Sequence, residues 1–116
     1  MSIDREELDK MEFSDVAEGD DLLSPVTPGE ILREEFMEPL GLSANALAKA
    51  LHVPANRITA ILNGTRSITA DTALRLARYF GTTAQSWMNL QKNHELEVAR
   101  RAVGRAISNE VKPRVA

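Results

Sequence analysis

The chain contains no cysteine, which excludes disulfide bonds, thiolate metal sites and cysteine nucleophiles. It has no apolar run that approaches the roughly 20 residues needed by a membrane-spanning helix. The amino terminus also lacks the basic start and apolar stretch of a signal peptide. We therefore expect a cytoplasmic protein of bacterial type that has no contact with a membrane.

Catalytic and metal-binding patterns are equally scarce. The two histidines, His52 and His94, stand 42 residues apart, and neither has a second donor at ligand spacing. Glu34 and Glu35 are adjacent, and adjacent side chains on a helix do not face each other, so they do not form an acid–base pair. The sequence has no glycine-rich phosphate loop. We expect a protein that is not an enzyme and that uses no metal or cofactor.

The charge of the chain is segregated, although the formal net charge is only −3. Residues 1–27 carry nine acidic and two basic side chains, whereas residues 28–116 carry eight acidic and twelve basic side chains. The first segment, which we call the acidic arm, therefore has a net charge of −7 and the remaining body a net charge of +4. This asymmetry favours nucleic-acid contact by the body and a separate partner for the arm.

The acidic arm also has more apolar content than a solubility tag needs. Its apolar side chains are those of Leu8, Met11, Phe13, Val16, Leu22 and Leu23. Their spacing allows a short helix but does not require one. Three roles are open for the arm: it binds a basic protein partner, it lies back on the basic body, or it is an idle solvated tail.

Residues 42–63, LSANALAKALHVPANRITAILN, are typical of two short amphipathic helices joined by a tight turn, as in a helix-turn-helix. Ser43 suits the cap of the first helix, and Pro54 suits the first position of the second. Gly64 follows at the place of a C-terminal glycine. The apolar positions that would face inward are Leu47, Ala48, Leu51, Ile58, Ile61 and Leu62.

The outward face of the second motif helix would then carry small and amide side chains. These are Ala55, Asn56, Thr59 and Ala60. Such a face fits the DNA major groove. On spacing alone, a helical hairpin with an ordinary polar outer face explains the pattern equally well.

The rest of the body also predicts helices. Thr27, Pro28 and Glu30 form a capping-box pattern at the start of a first helix, which we expect to end near Met37 because a proline at residue 39 disfavours continuation. Its core face would be Ile31, Leu32 and Phe36. A further helix would begin at a Thr69 cap with Asp71 in its first turn. Its apolar stripe would be Ala73, Leu74, Leu76, Ala77 and Phe80, with Gly81 at its end.

Thr83 would cap a fifth helix that contains Trp87 and Leu90. From Leu96, apolar residues recur at heptad-like spacing on an extended C-terminal helix that continues to about Ser108. These residues, which we call the seam, are Leu96, Ala99, Val103, Ala106 and Ile107. The seam either packs on its own domain or forms a dimer contact. The chain as a whole is expected to be all-α, with the arm at 1–27, a helix-turn-helix domain at 28–92 and a dimerisation helix and tail at 93–116.

Seven segments lie in one colinear block from Pro28 to about Arg100, which covers about two-thirds of the chain. They are PGEILREEF (28–36), EPLGLS (38–43), VP (53–54), RI (57–58), LNGTR (62–66), ITADTALRLARYFG (68–81) and WMNLQ (87–91). In these segments the chain resembles the HigA/VapI type of antitoxin, within the XRE or lambda-repressor-like helix-turn-helix proteins. The resemblance implies a five-helix lambda-repressor-like bundle that acts as a homodimer. It further implies an antitoxin that neutralises a small basic RelE-like ribonuclease and represses its own operon at a palindromic operator.

Three departures from the family pattern stand out. Ala44 occupies a position where glutamine is usual, and that glutamine commonly braces the recognition helix or touches DNA. Ala55-Asn56 replaces a frequent proline and arginine. The acidic arm is longer than the family's leader, so its role is not implied by the resemblance.

Roles on double-stranded operator DNA follow from side-chain chemistry. Asn56 is the best base reader, because an amide pairs bidentately with adenine. Arg57, beside the apolar Ile58, is expected to bind phosphate rather than a base. Asn63 and Arg66 are further phosphate candidates, although Asn63 with Gly64 also fits a helix C-cap. The full predicted DNA-binding set is Ser43, Ala44, Asn45, Pro54, Ala55, Asn56, Arg57, Thr59, Ala60, Asn63 and Arg66. Arg75 and Arg78 fit a solvated face.

Three functions remain open from the sequence. The first is an antitoxin that binds both a toxin and an operator. The second is a solitary transcription regulator of the same fold. The third is a protein-interaction module whose helix-turn-helix no longer reads DNA, which Ala44 and the net negative charge would favour.

Overall fold

A computed structural model describes residues 25–115 of the chain. Within this range there are five helices and no strands, so the all-α prediction is confirmed. None of these helices is long and apolar enough to cross a membrane. Residues 1–24 of the acidic arm, with the predicted short helix and all the acidic groups of the arm, lie outside the described residues. The helices are α1 (Pro28–Ile31, Leu32–Met37 and Glu38–Leu40 in succession), α2 (Ala44–Leu51), α3 (Ala55–Leu62), α4 (Ala70–Phe80) and α5 (Ala84–Glu110).

Helix α1 continues through Pro39, so the predicted end near Met37 is wrong. Its middle segment, Leu32–Met37, is a π-helix, and the N–H of Glu38 donates to the carbonyl of Arg33, five residues back. A proline ring normally collides with the carbonyl four residues earlier, and the wider π turn changes that spacing. The predicted capping box at the start of α1 is present, because Thr27 and Glu30 each accept the other's backbone N–H.

The helix-turn-helix is formed by α2 and α3, as predicted. The Ser43 hydroxyl caps α2 by accepting the N–H of Ala46 at 3.1 Å. Helix α2 ends at His52, whose φ of +60° is the one positive value at a non-glycine residue among residues 25–115. Pro54 has an extended ψ of 146° and is the N-cap of α3. The prediction that Pro54 is the first helical residue is therefore wrong by one position.

The core lies where α1 to α4 meet the first half of α5. Its fully buried apolar side chains are Leu32, Leu47, Ile58, Ile68, Ala73, Leu76 and Trp87, each at most 1% exposed. Trp87 packs against the rings of Phe36 and Phe80, and its indole N–H donates to Thr82 Oγ1 at 2.7 Å. This arrangement confirms that Trp87 is a core residue.

Helix α4 departs from its predicted stripe and cap. Leu74 is 63% exposed, whereas Thr72 is 1% exposed. Thr69 occupies the N-cap position, but its side chain makes no capping hydrogen bond. The hydroxyl lies 3.5 Å from Thr72 Oγ1 instead. The start and end of the helix are as expected, and Gly81 ends it in the left-handed region at φ +74°.

Helix α5 is one continuous element, and the division that we placed at residue 92 lies within it. Thr83 caps it as predicted, accepting the N–H of Ser86 at 3.1 Å. The seam of the second half is exposed: Leu96 is 58%, Val103 44% and Ile107 49% exposed. Ala99 and Ala106 are exposed too. The seam therefore does not pack on residues 25–115, which removes one of its two predicted roles within the described part of the chain.

Candidate nucleic-acid interface

Helix α3 presents the predicted outward face, with one exception. Ala55, Asn56 and Thr59 are exposed, whereas Ala60 is half-buried. The Ala60 carbonyl accepts hydrogen bonds from the hydroxyl of Thr65 at 3.2 Å and from the N–H groups of Thr65 and Arg66. Ala60 therefore closes the end of the helix more than it faces outward.

Asn56 is free to bind a ligand. Its side-chain amide makes no hydrogen bond with any other residue between 25 and 115, while its backbone carbonyl accepts the Thr59 hydroxyl at 3.3 Å. Pro54, just before the helix, is also exposed. The first two turns of α3 thus offer one unengaged amide among small side chains.

Arg57 is turned away from this face. Its Nη1 donates to Asp71 Oδ2 at 2.8 Å, and its side chain is 24% exposed. The Arg57 Nε is buried and has no hydrogen-bond partner in the described part of the chain. The predicted phosphate ligand is therefore engaged by a carboxylate of α4 in this structure.

The Asp71 carboxylate also accepts a hydrogen bond from a second arginine. Arg75 Nε donates to the same Oδ2 at 2.9 Å, and Arg75 Nη1 donates to the carbonyl of Leu51, the last residue of α2, at 2.9 Å. The hydrogen bond from Arg75 above all holds the pKa of Asp71 below its ordinary value; desolvation opposes it, and the charge of Arg75 and the contact with Arg57 lower the pKa further. Arg75 thus joins helices rather than forming a solvated face, whereas Arg78 is exposed.

The start of α2 places three predicted residues in different settings. The Ser43 hydroxyl is occupied by capping, which leaves the helix N-terminus to approach a phosphate through backbone amides. Ala44 is half-buried and packs against the core. Asn45 is exposed.

The C-terminal end of α3 carries the last two predicted residues. Asn63 is the C-cap and donates its N–H to the carbonyl of Thr59 at 2.9 Å. Gly64 follows at φ +80°, so the predicted helix C-cap is present. The Arg66 side chain is exposed and has no partner among residues 25–115. It is therefore available to a phosphate.

Two supports of α3 were missed from the sequence. A Cβ on Gly29 would collide with the Ile61 carbonyl and lie 2.9 Å from Leu62 Cα, so glycine lets α1 cross α3 closely. Arg33 Nη2 approaches the Leu62 carbonyl at 3.5 Å. The signal in the sequence was a glycine in the first turn of a predicted helix. In the structure its φ is not positive, so backbone conformation alone does not require glycine there.

Gln91 is a further missed residue. It is 6% exposed, and its Oε1 accepts the N–H of Ile68 at 2.8 Å. Its Nε2 donates to Ser67 at 3.3 Å and to Glu95 at 3.0 Å. Gln91 thus fixes the loop that follows Arg66 to α5. A polar residue four positions after the buried Trp87 was the signal.

The histidines have local roles. His52 is an exposed turn residue, as expected. His94 Nδ1 lies 3.2 Å from the carbonyl of Val26. Among residues 25–115, no group of three or more histidine or acidic side chains could hold a metal ion.

Comparison with known proteins identifies the family. Residues 34–87 match a helix-turn-helix family model. Virulence-associated protein I of Dichelobacter nodosus is 58% identical over 81 residues, which are 70% of this chain and 75% of that protein. Antitoxin HigA-1 of Vibrio cholerae is 42% identical over 67 residues, which are 58% of this chain and 63% of that protein. The chain belongs to the HigA/VapI family of helix-turn-helix antitoxins. Its proteins are DNA-binding regulators rather than enzymes.

Two solved HigA structures share the fold. The HigA-family antidote protein of Coxiella burnetii is 54% identical, with a TM-score of 0.76 over 79% of this chain and 100% of that one. The Pseudomonas aeruginosa antitoxin HigA, solved with the higBA promoter, is 47% identical, with a TM-score of 0.76 over 78% of this chain and 99% of that one. About a fifth of this chain thus has no counterpart in the Coxiella HigA structure.

Proposed function

We propose that the chain is an antitoxin that represses its own operon by binding a palindromic operator and that neutralises a small basic ribonuclease of the RelE-like class. Both activities would be carried out in the cytoplasm. The observation that carries the DNA-binding half is the exposed face of α3, with the unengaged amide of Asn56 between the small side chains of Ala55 and Thr59. The HigA structure with the higBA promoter supports the same half.

On the operator, α3 would lie in the major groove. Asn56 would read an adenine through its amide, and Ala55 and Thr59 would contact thymine methyl groups or permit close approach. Half-buried Ala60 would contribute little to these contacts.

Sequence-independent contacts would come from the two ends of the motif. The N-terminus of α2, at Ser43 to Asn45, would bind one phosphate through backbone amides. Arg66, with the neighbouring Asn63, would bind another. Pro54 would lie against the sugar-phosphate chain at the start of α3.

The seam of α5 would be the homodimer contact. Its exposed apolar side chains lie on one helix face at heptad-like spacing, and a coiled-coil contact buries this pattern. A two-fold axis there would set two copies of α3 about 34 Å apart, so that they meet successive major grooves.

The operator proposal is tested on DNA from upstream of the chain's own gene. Asn56→Ala should cost about 1–3 kcal/mol at one base position and relax the choice there. Arg66→Ala should weaken binding to all sequences and reduce the salt slope by about one unit. Asn93→Ala, an exposed asparagine on α5, is the matched control and should bind as the unchanged protein does. An Asn56→Ala loss that is equal on operator and random duplex would refute the role of Asn56, and an Arg66→Ala loss confined to the operator would refute the role of Arg66.

The toxin would be bound by the acidic arm. Its nine carboxylates would attract a basic protein and repel DNA, and its apolar residues would anchor it after the encounter. Such a segment could cover a surface that holds RNA phosphates and leave α3 free for the operator.

Co-expression in growing cells tests this half. The chain should restore growth to cells that express the small basic protein encoded beside it, and a variant lacking residues 1–24 should fail to do so while still binding operator. If the shortened chain restores growth and binds operator more tightly, the arm covers the DNA-binding face and the toxin docks on the helical body. If neither form restores growth but both bind operator, the chain is a solitary regulator.

A further inference from the structure

We propose that Asp71 limits the sequence-independent part of the affinity for DNA, because its carboxylate withholds Arg57 from the phosphates. The inference rests on the proposed operator binding and assigns a role to a residue outside the DNA-binding face. It also replaces the role as phosphate ligand that sequence reasoning gave to Arg57.

The Arg57 side chain is directed towards α4 and not outward from α3. Arg57 is the third residue of α3, next to the outward Asn56, and a free arginine there would reach a phosphate beside the groove. It lies instead against α4, with Nη1 2.8 Å from Asp71 Oδ2. Its Nε is enclosed by protein. Release towards DNA would therefore require the whole guanidinium to leave its place between two helices.

Asp71 is itself held in place by a second arginine. The same Oδ2 accepts Arg75 Nε at 2.9 Å, and Arg75 is tied by Nη1 to the Leu51 carbonyl at the end of α2. The carboxylate thus cannot follow Arg57 outward without breaking a second hydrogen bond. The two arginines lower the pKa of Asp71, so the carboxylate stays charged wherever the protein would bind DNA.

The pairing of Arg57 with Asp71 changes how strongly the protein would bind DNA of any sequence. A phosphate contact adds nearly equal affinity to every sequence, whereas base contacts separate the operator from other DNA. A free Arg57 would raise binding to random DNA by as much as binding to the operator. With Arg57 paired, the first turn of α3 offers Asn56 without a neighbouring free cation, and operator and random DNA each lose one attractive contact. Arg66 is exposed and has no such partner among residues 25–115.

The salt dependence of binding separates this role from a purely structural one. We would measure the affinity of the full chain for operator and for random duplex between 50 and 200 mM salt. Arg57→Ala should leave both slopes unchanged. Asp71→Asn should steepen the slope on both duplexes by about 0.9, which is about a 3.5-fold greater loss of affinity over this fourfold range. It should also raise the affinity for random duplex and for operator at low salt by nearly the same factor and leave the ratio of the two affinities nearly unchanged.

Three further variants sharpen the test. The double variant Arg57→Ala, Asp71→Asn should return to the slope of Arg57→Ala, because no arginine is left to release. Asp71→Glu should restore the behaviour of the unchanged protein. Glu97→Gln removes the same charge from a carboxylate that also accepts two arginines, Arg100 and Arg101, each at 2.9 Å. It should leave the slopes unaltered, because it lies on α5.

Two results would overturn the proposal. If Arg57→Ala flattens the slope by about one unit on both duplexes, Arg57 binds a phosphate in the complex. This result can be obtained even if Asp71→Asn does not fold. If Glu97→Gln changes the slope as much as Asp71→Asn does, net charge alone is responsible. A failure of the operator proposal looks different, because the unchanged protein would then bind operator and random duplex equally.

Discussion

Replacing Gly29 with alanine should force α1 away from the recognition helix α3. The new Cβ would collide with the Ile61 carbonyl oxygen and would lie 2.9 Å from Leu62 Cα and 3.0 Å from the Ile61 carbonyl carbon. All three neighbours are backbone atoms, so rotation of a side chain cannot relieve the contact. Since non-bonded carbons prefer about 3.5–4.0 Å, the two helices must separate by at least about 0.6 Å.

The expected loss follows from this collision. Overpacking of a well-packed contact costs about 1–3 kcal/mol. Alanine recovers up to about 1 kcal/mol of helix propensity relative to glycine, so the net loss in free energy of unfolding should be about 1–2 kcal/mol. For a chain of this size each kcal/mol lowers Tm by roughly 4–8 °C. Operator affinity should fall as well, because α3 is displaced from its seat on α1.

Thermal melts followed by circular dichroism give the measurement, with Gly104→Ala as the matched control. Gly104 lies inside α5, and of the atoms in residues 25–115 a Cβ there would meet only the Arg100 side chain, at 3.4 Å. The same chemical change should therefore raise Tm at Gly104 and lower it at Gly29. If both variants gain stability, the close approach of α1 and α3 does not depend on glycine, and the reasoning is refuted.

Three other substitutions test separate parts of the account. Val103→Glu should convert the proposed dimer to a monomer in light scattering without lowering the Tm of the monomer, whereas Leu74→Glu, on a still more exposed apolar residue of α4, should leave that dimer intact; a dimeric Val103→Glu would place the interface elsewhere. Gln91→Ala should cost about 1–3 kcal/mol in urea unfolding, because it leaves a buried backbone N–H without its acceptor, and an unchanged midpoint would contradict this. Hydrogen bonds from Arg75 above all depress the pKa of Asp71, so the ion pairs stabilise the fold above the unfolded pKa of about 3.9 and this contribution is lost as pH falls through the folded value. The Tm difference between the unchanged protein and Asp71→Asn should thus shrink from pH 7 to pH 2, and a constant difference would count against it.

Much of the fold could be predicted because local patterns decide it. The caps at Thr27, Ser43 and Thr83, the glycine ends at Gly64 and Gly81, and the apolar spacing of α2 and α3 each act within a few residues. The errors arose where a distant or unusual feature decided the outcome. The π segment let α1 pass Pro39. Exposed Leu74 lies on a side of α4 that residues 25–115 leave uncovered, which the sequence pattern does not reveal.

The candidate site was predictable in composition but not in connectivity. Asn56 and Arg66 are exposed, as their positions indicated, and their side chains have no partner within residues 25–115. The pairing of Arg57 with Asp71 joins residues 14 positions apart, and the contact of Gly29 with Ile61 joins residues further apart still. Such contacts depend on how helices cross, which helical periodicity does not specify.

The central claim is that two copies of the chain read a palindromic operator with paired α3 helices. A hydroxyl-radical footprint of the full chain on DNA from upstream of its own gene tests it most directly. The account predicts two protected half-sites of inverted sequence, with centres about 34–36 Å or 10–10.5 base pairs apart, and loss of both together in Val103→Glu. A single protected half-site, or protection that spreads without regard to sequence, would contradict it.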